Sequence, residues 1–379
     1  MKYYIISGEA SGDLHGSNLM KGLKARDPEA DFRFWGGDLM QQQGGRLVKH
    51  YKDLAFMGFV EVLLNIWTIL GNIRFCKKDI TAYQPDALIL IDYPGFNLRI
   101  AKWAKARGIK VLYYISPQIW AWHSSRVHGI KASVDKMFVI LPFEAPFYEQ
   151  YGFPVEFVGH PLMDVVQEVA PEPGFRARHN LSKAPIIALL PGSRKQEIDR
   201  LLSVMLQVVP LFPEHQFVIA GAPAQHAIAY WQILEKVYLR PGDRERVKFI
   251  NNQTYLLLQE AEAALVTSGT ATLETALFEV PQVVCYKGSP LSYFIARQLV
   301  NVKYISLVNL IMDREIVKEL IQDECWPERI AEELQKLLQP EERERIAADY
   351  KLLKEKVGSP GASLRAAGKM YEYLTGQSA

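Results

Sequence analysis

The sequence predicts an α/β protein made of two doubly wound, Rossmann-like domains facing a cleft. Three observations carry that prediction. Short apolar runs with strand character alternate with helical stretches along most of the chain, the spacing of a mostly parallel sheet. A length of 379 residues is more than one compact core usually holds. The stretch Pro171-Glu-Pro-Gly174 has linker composition and divides two such series, so domains are expected at 1–165 and 175–357.

With 49% hydrophobic and 23% charged residues the chain has ample core material, and a net charge of +2 gives no bulk argument for a nucleic-acid partner. Cys76, Cys285 and Cys325 lie far apart without metal-ligand spacing, which suggests buried thiols in a reducing compartment. The apolar run in Met1 to Ser7 is too short for a signal peptide, and no run reaches the roughly 20 apolar residues of a membrane span. A cytoplasmic protein is expected.

Tyr3 to Ser7 reads as the opening strand, and Ser7-Gly-Glu-Ala-Ser-Gly-Asp13 leads into a helix to about Ala25. Its glycines, Gly8, Gly12 and Gly16, are spaced four apart, and the acids Glu9 and Asp13 lie where a pyrophosphate would have to approach. Those acids, beside Ser11 and His15, suit a hydroxylated ligand or a proton transfer better than a dinucleotide. A glycine-rich turn with a helix-capping acid is the plainer reading. Between Phe56 and Cys76, Phe56, Phe59, Val60, Leu63, Leu64 and Trp67 form one apolar stripe at helical spacing, with Met57 beside it. Val62, Ile66, Ile69 and Ile73 form a second stripe, and Arg74, Lys77 and Lys78 follow. Two stripes suggest a helix buried on one side and offered to lipid on the other, or one buried on both sides. Ala87 to Ile91 is a continuous apolar strand that ends at Asp92, the strand edge where open α/β sheets collect their ligands. Asp92 is alternatively a turn acid ahead of Pro94-Gly95. Strands at Lys110 to Ile115, Met137 to Leu141 and Val155 to Val158 complete the first half, and the second of these strands is preceded by the aromatic loop Ser116-Pro-Gln-Ile-Trp-Ala-Trp-His123.

The second half carries strands at Pro185 to Leu190, Gln216 to Ala220, Val247 to Ile250, Ala263 to Val266 and Gln282 to Tyr286. Two turns at strand ends suit an anion. Gly192, Ser193 and Arg194 open a helix, so N–H groups and a guanidinium converge there. Ser268, Gly269, Thr270, Ala271 and Thr272 form a hydroxyl-rich turn before a second helix, whose first turn holds Glu274. A carboxylate there would accept two hydrogen bonds from a ribose diol, or merely complement the helix dipole. Asn309, before a later helix, is a weaker candidate for the diphosphate. Together, a nucleotide cradle in one half and acids with aromatics in the other describe a glycosyltransferase of the two-Rossmann-domain type.

A closer match comes from six motifs: Ser7-Gly-Glu-Ala-Ser-Gly-Asp13, Met57-Gly-Phe-Val-Glu-Val62, Ile91-Asp-Tyr-Pro-Gly-Phe-Asn97, Ser116-Pro-Gln-Ile-Trp-Ala-Trp122, Leu190-Pro-Gly-Ser-Arg194 and Ser268-Gly-Thr-Ala-Thr-Leu-Glu274. In order, from residue 4 to about residue 325, the chain resembles the lipid-A-disaccharide synthases. The resemblance implies a GT-B architecture and transfer of 2,3-diacylglucosamine from UDP-2,3-diacylglucosamine to 2,3-diacylglucosamine 1-phosphate. The products are the β-1,6 disaccharide of lipid A and UDP, formed by inversion without metal or cofactor. It implies peripheral attachment to the inner membrane, and a homodimer is possible in the family. In related transferases the last helix, here within 360–379, crosses back onto the first domain. The base would be Asp92, Glu9 or Asp13, with His15 behind them. A UDP-N-acetylglucosamine 2-epimerase shares the architecture and the donor cradle, and a non-catalytic nucleotide-binding protein resting on membrane is the reading from another class.

Overall fold

The computed structural model describes residues 1–54, 66–122, 124–223, 225–289 and 302–376. It divides into two units, Met1–Pro161 with Gly358–Ala379, and Leu162–Val357. The first join lies before the Pro171-Gly174 linker, because the helix Leu162–Glu168 packs on the helix Thr270–Leu277 of the second unit. Gln259 Nε2 fastens the following residue, donating to the Val169 carbonyl at 2.9 Å.

The first unit is a seven-stranded sheet of β1 (Lys2–Ile6), β2 (Asp31–Gly36), β3 (Arg46–His50), β4 (Ala87–Ile91), β5 (Lys110–Tyr114), β6 (Lys136–Val139) and β7 (Glu156–Phe157). Their order is β3-β2-β1-β4-β5-β6-β7 and every pairing is parallel. Chain order reverses between β1 and β4, which makes their carboxyl ends the switch point of the sheet. Strands buried on both faces need apolar side chains at every position, and Ala87–Ile91 supplies them. Successive residues feed opposite layers. Tyr4, Ile6, Leu88, Leu90 and Tyr113 pack with Ile73, Cys76 and Ile80 of the helix Ile66–Tyr83. Tyr3, Ile5, Ile89, Ile91 and Tyr114 pack with Leu19 and Leu23 of the helix Ala10–Arg26 and with Ala366, Ala367 and Met370 of the last helix, Ala362–Thr375. The two helices touch so closely that a Cβ at Gly22 would lie 2.8 Å from that of Ala367. Tyr114 and Ser363 hydroxyls meet at 3.1 Å, and Arg365 Nε donates to the Val158 carbonyl at 2.9 Å.

The second unit is a six-stranded parallel sheet of β8 (Ile186–Leu190), β9 (Gln216–Gly221), β10 (Val247–Asn251), β11 (Ala261–Thr267), β12 (Gln282–Tyr286) and β13 (Lys318–Ile321). Its order is β10-β9-β8-β11-β12-β13, so the switch point falls between β8 and β11. Three strands, β2, β3 and β13, are absent from the sequence reading. β2 mixes Asp31 and Arg33 with aromatics, whereas β3 and β13 are short, polar strands at sheet edges. Of the double-striped stretch, Phe56, Met57, Phe59, Val60, Leu63 and Leu64 lie outside the described residues. Trp67 is described, on the helix Ile66–Tyr83, and is 79% exposed.

Candidate active site

In the first unit, Asp92 stands one residue beyond β4 with its neighbour Tyr93, and both have left-handed backbone, φ 43° and 48°. Such conformations cost non-glycine residues of order 1–3 kcal/mol each and collect at functional sites. Burial, and secondarily the charge of Glu9, push the Asp92 carboxyl up to about 6, opposed by a hydrogen bond from the Tyr93 backbone. An acid held there is ionised at neutral pH yet more basic than an ordinary carboxylate, the state a general base requires. A third left-handed residue, Ile115 at φ 65°, follows β5 on the same edge; for a β-branched side chain this is an outlier. The loop it starts is anchored by Ser116, whose hydroxyl meets that of Tyr148 at 2.7 Å. Beneath it Glu144, fully buried, accepts from the Leu141 N–H at 2.9 Å, and burial raises its carboxyl to about 7.

The glycine-rich loop after β1 sorts its acids sharply. Gly8 lies against the Tyr93 ring, where a Cβ would come within 2.4 Å of Cγ, so the β1 and β4 ends are in contact. Glu9 is exposed at the start of the helix Ala10–Arg26, and Ser11 is exposed in its first turn. Asp13 is committed to the backbone. Its buried carboxylate accepts the N–H groups of Gly37, Met40 and Leu39 at 2.8, 3.0 and 3.1 Å, capping the short helix Asp38–Gln42. His15 lies close to buried His160 in the same unit; burial lowers His15 to about 4, so its imidazole is uncharged near neutrality.

In the second unit the ends of β8, β9 and β11 surround a cavity of about 800 Å³. Gly192 makes the turn after β8 at φ 112°, a conformation that side chains rarely adopt, and a Cβ there would come within 2.9 Å of the Glu197 Cβ. Ser193 and Arg194 are exposed in that turn, and Glu197 accepts the Arg194 N–H at 3.4 Å and its guanidinium at 3.3 Å. Opposite, Ser268, Gly269, Thr270 and Ala271 line the cavity and open the helix Thr270–Leu277, whose first N–H groups have no intrahelical acceptor. Glu274 also lines it, its carboxyl raised by burial and held by the Tyr255 hydroxyl, which donates to Oε1 at 3.1 Å. Tyr255 escaped the sequence reading because nothing local links it to Glu274.

Two expected donors serve the fold instead. Thr272 is fully buried and its hydroxyl donates to the Gly269 carbonyl at 2.7 Å, closing the first turn of its own helix. Asn309 is 0% exposed and spends its amide on the approach to β13. Nδ2 donates to the Val317 carbonyl at 2.8 Å and to Glu319 at 2.9 Å, while Oδ1 accepts the Ile316 and Val317 N–H groups at 2.8 and 3.1 Å. Asn309→Ala should therefore cost roughly 1–3 kcal/mol for each buried group left unpaired, read as a lower melting temperature, with UDP affinity of the folded protein unchanged. Weaker UDP binding at an unaltered melting temperature would return Asn309 to the cavity.

Comparison with known proteins gives the family. A family model described as lipid-A-disaccharide synthetase matches residues 3–367. The chain belongs to the lipid-A-disaccharide synthase family. Relatives of that name include one from Syntrophus aciditrophicus, 43% identical over 369 residues and covering 96% of this chain and 95% of its own. Another, from Nitrosococcus oceani, is 41% identical over 369 residues, covering 94% of this chain and 92% of its own. As a member of this family the chain is a glycosyltransferase of lipid A biosynthesis, acting on UDP-sugar and lipid-linked sugar substrates. Its fold is shared more widely. A UDP-GlcNAc 2-epimerase from Neisseria meningitidis, solved with UDP-GlcNAc, superimposes with a TM-score of 0.67 at 13% identity, covering 100% of both chains. The glycotransferase of kitacinnamycin does so with a TM-score of 0.64 at 13% identity and 98% of both. At such identity these neighbours establish the two-Rossmann-domain architecture and nothing of the reaction.

Proposed function

We propose that the chain transfers 2,3-diacylglucosamine from its UDP derivative to the 6-hydroxyl of 2,3-diacylglucosamine 1-phosphate. The observation that carries the proposal, beside the family, is Asp92: a buried acid, more basic than usual, on a reversed backbone at the switch point of its sheet. In this reading its carboxylate takes the proton of the acceptor hydroxyl as that oxygen attacks the anomeric carbon in line. The bond from that carbon to the diphosphate oxygen breaks, UDP departs, and the anomeric configuration inverts. Arg194 and the N–H groups of the Gly192–Arg194 and Ser268–Ala271 turns meet the charge that develops on the diphosphate, without a metal ion. Glu274 takes the ribose hydroxyls. Incubation with the two lipid sugars should release UDP in equal amount with the β-1,6 disaccharide, and only when the acceptor is present. Interconversion of UDP-N-acetylglucosamine with its epimer, with no disaccharide formed, would replace this reading by the epimerase.

Peripheral contact with the cytoplasmic face of the inner membrane belongs to the same proposal. Among the described residues no helix is long and apolar enough to cross a membrane. The helix Ile66–Tyr83 turns Ile73, Cys76 and Ile80 inward, while Trp67 and Phe75 are exposed, 79% and 47%, near the exposed cations Arg74 and Lys78. Aromatics with flanking cations suit the head-group region. Trp67→Ser with Phe75→Ser should weaken binding to phosphatidylethanolamine–phosphatidylglycerol vesicles severalfold while UDP binding persists. Unchanged vesicle binding would remove this helix from the interface.

A further inference from the structure

Two consecutive left-handed residues at the end of β4 persist only if their surroundings hold them, and two neighbouring elements do so at one point. Asn97, fully buried in the helix Pro94–Lys105, donates the two N–H groups of Nδ2 to the Asp92 carbonyl at 2.7 Å and to that of Ile91 at 3.2 Å, with the Ile6 carbonyl at 3.5 Å sharing them. Tyr113, on β5, donates its hydroxyl to the same Asp92 carbonyl at 2.5 Å. The Asp92 carbonyl thereby joins the end of β4 to β5 and to Asn97, whose amide also reaches the end of β1. The Tyr93 ring completes the arrangement by lying over Gly8. We infer that Asn97 and Tyr113 are positioning residues for the general base, their bonds to the Asp92 carbonyl fixing the reversed backbone from which its carboxylate meets the acceptor hydroxyl. The inference rests on the reading of Asp92 as base.

Backbone-mediated positioning makes a distinctive claim about both rate and titration. The groups that face the Asp92 carboxyl are Glu9 from the β1 loop, the Tyr93 N–H and the Tyr113 hydroxyl, and burial is the largest influence on it. Releasing the clamp frees the carboxylate to move toward solvent, which misplaces it and lowers its pKa together. A residue that merely supports the fold would reduce the amount of active enzyme and leave its titration where it was.

The experiment compares Tyr113→Phe and Asn97→Leu with wild type, alone and in an Asp92→Asn background. Tyr113→Phe should lower kcat roughly tenfold and Asn97→Leu about a hundredfold, with UDP affinity unchanged and the acid limb of the pH profile moved below its wild-type position. In the Asp92→Asn background neither should cost anything further, since residues acting through one group are not additive. Should Asn97→Leu fail to fold, Tyr113→Phe decides alone. Wild-type kcat in Tyr113→Phe, an unmoved acid limb, or a full additional loss on top of Asp92→Asn overturns the inference while leaving the base in place. Near wild-type activity in Asp92→Asn itself would instead remove the base assignment.

Discussion

Asp92→Asn should lower turnover by roughly 10²–10⁴-fold, the usual contribution of general-base catalysis, and leave UDP affinity intact, because the cavity proposed for the nucleotide is built by the other unit. Stability separates this outcome from structural damage. The carboxyl is raised from 3.8 to about 6, chiefly by burial, so the folded state holds its proton more tightly than the unfolded one. Such a group loses the folded protein stability as pH climbs from its unfolded value through about 6, and the loss is complete above that. A neutral amide escapes this penalty. At pH 7.5 the variant should therefore melt no lower than wild type, whatever happens to its rate. A fall in melting temperature alongside turnover would mark Asp92 as an acid that holds its turn.

Glu274→Ala should weaken UDP binding by about 1.5–3 kcal/mol, the range for hydrogen bonds to a charged acceptor. The carboxylate lines the cavity and one oxygen receives the Tyr255 hydroxyl, which leaves the other for a ribose diol. Tyr255→Phe should cost less, since it removes a group that orients Glu274 and not the acceptor itself. Titration calorimetry reads both. Unchanged UDP affinity in folded Glu274→Ala would reduce Glu274 to a helix-dipole partner, the other meaning its place in a first turn allows.

Central strands were legible because burial on both faces forces an unbroken apolar run, as in Ala87–Ile91 and Ile186–Leu190. Edge strands such as Arg46–His50 carry no such obligation and gave no signal. Asp92 could be picked out by standing where an apolar run stops. Glu9 and Asp13, four residues apart on one glycine-rich loop, look alike in sequence; only the fold brings the amides of Gly37, Leu39 and Met40 onto Asp13 and leaves Glu9 exposed. Asn309 is ambiguous in sequence for the same reason, since a polar residue at a helix start serves a ligand or a neighbouring backbone equally well until its partners are seen. Asn97 lay inside a recognised motif, and its task became visible only with the Asp92 carbonyl beside it.

The pH dependence of kcat/KM for the acceptor tests the central claim most directly, measured from about pH 4.5 to 8.5 on wild type and on Asp92→Asn. A base must be unprotonated to act, and burial pushes the Asp92 carboxyl up to about 6. Wild-type activity should be level above that pH and fall about tenfold per unit below it. The small residual activity of Asp92→Asn should show no such limb. An acid limb at the same pH in the variant would mean that some other group accepts the proton.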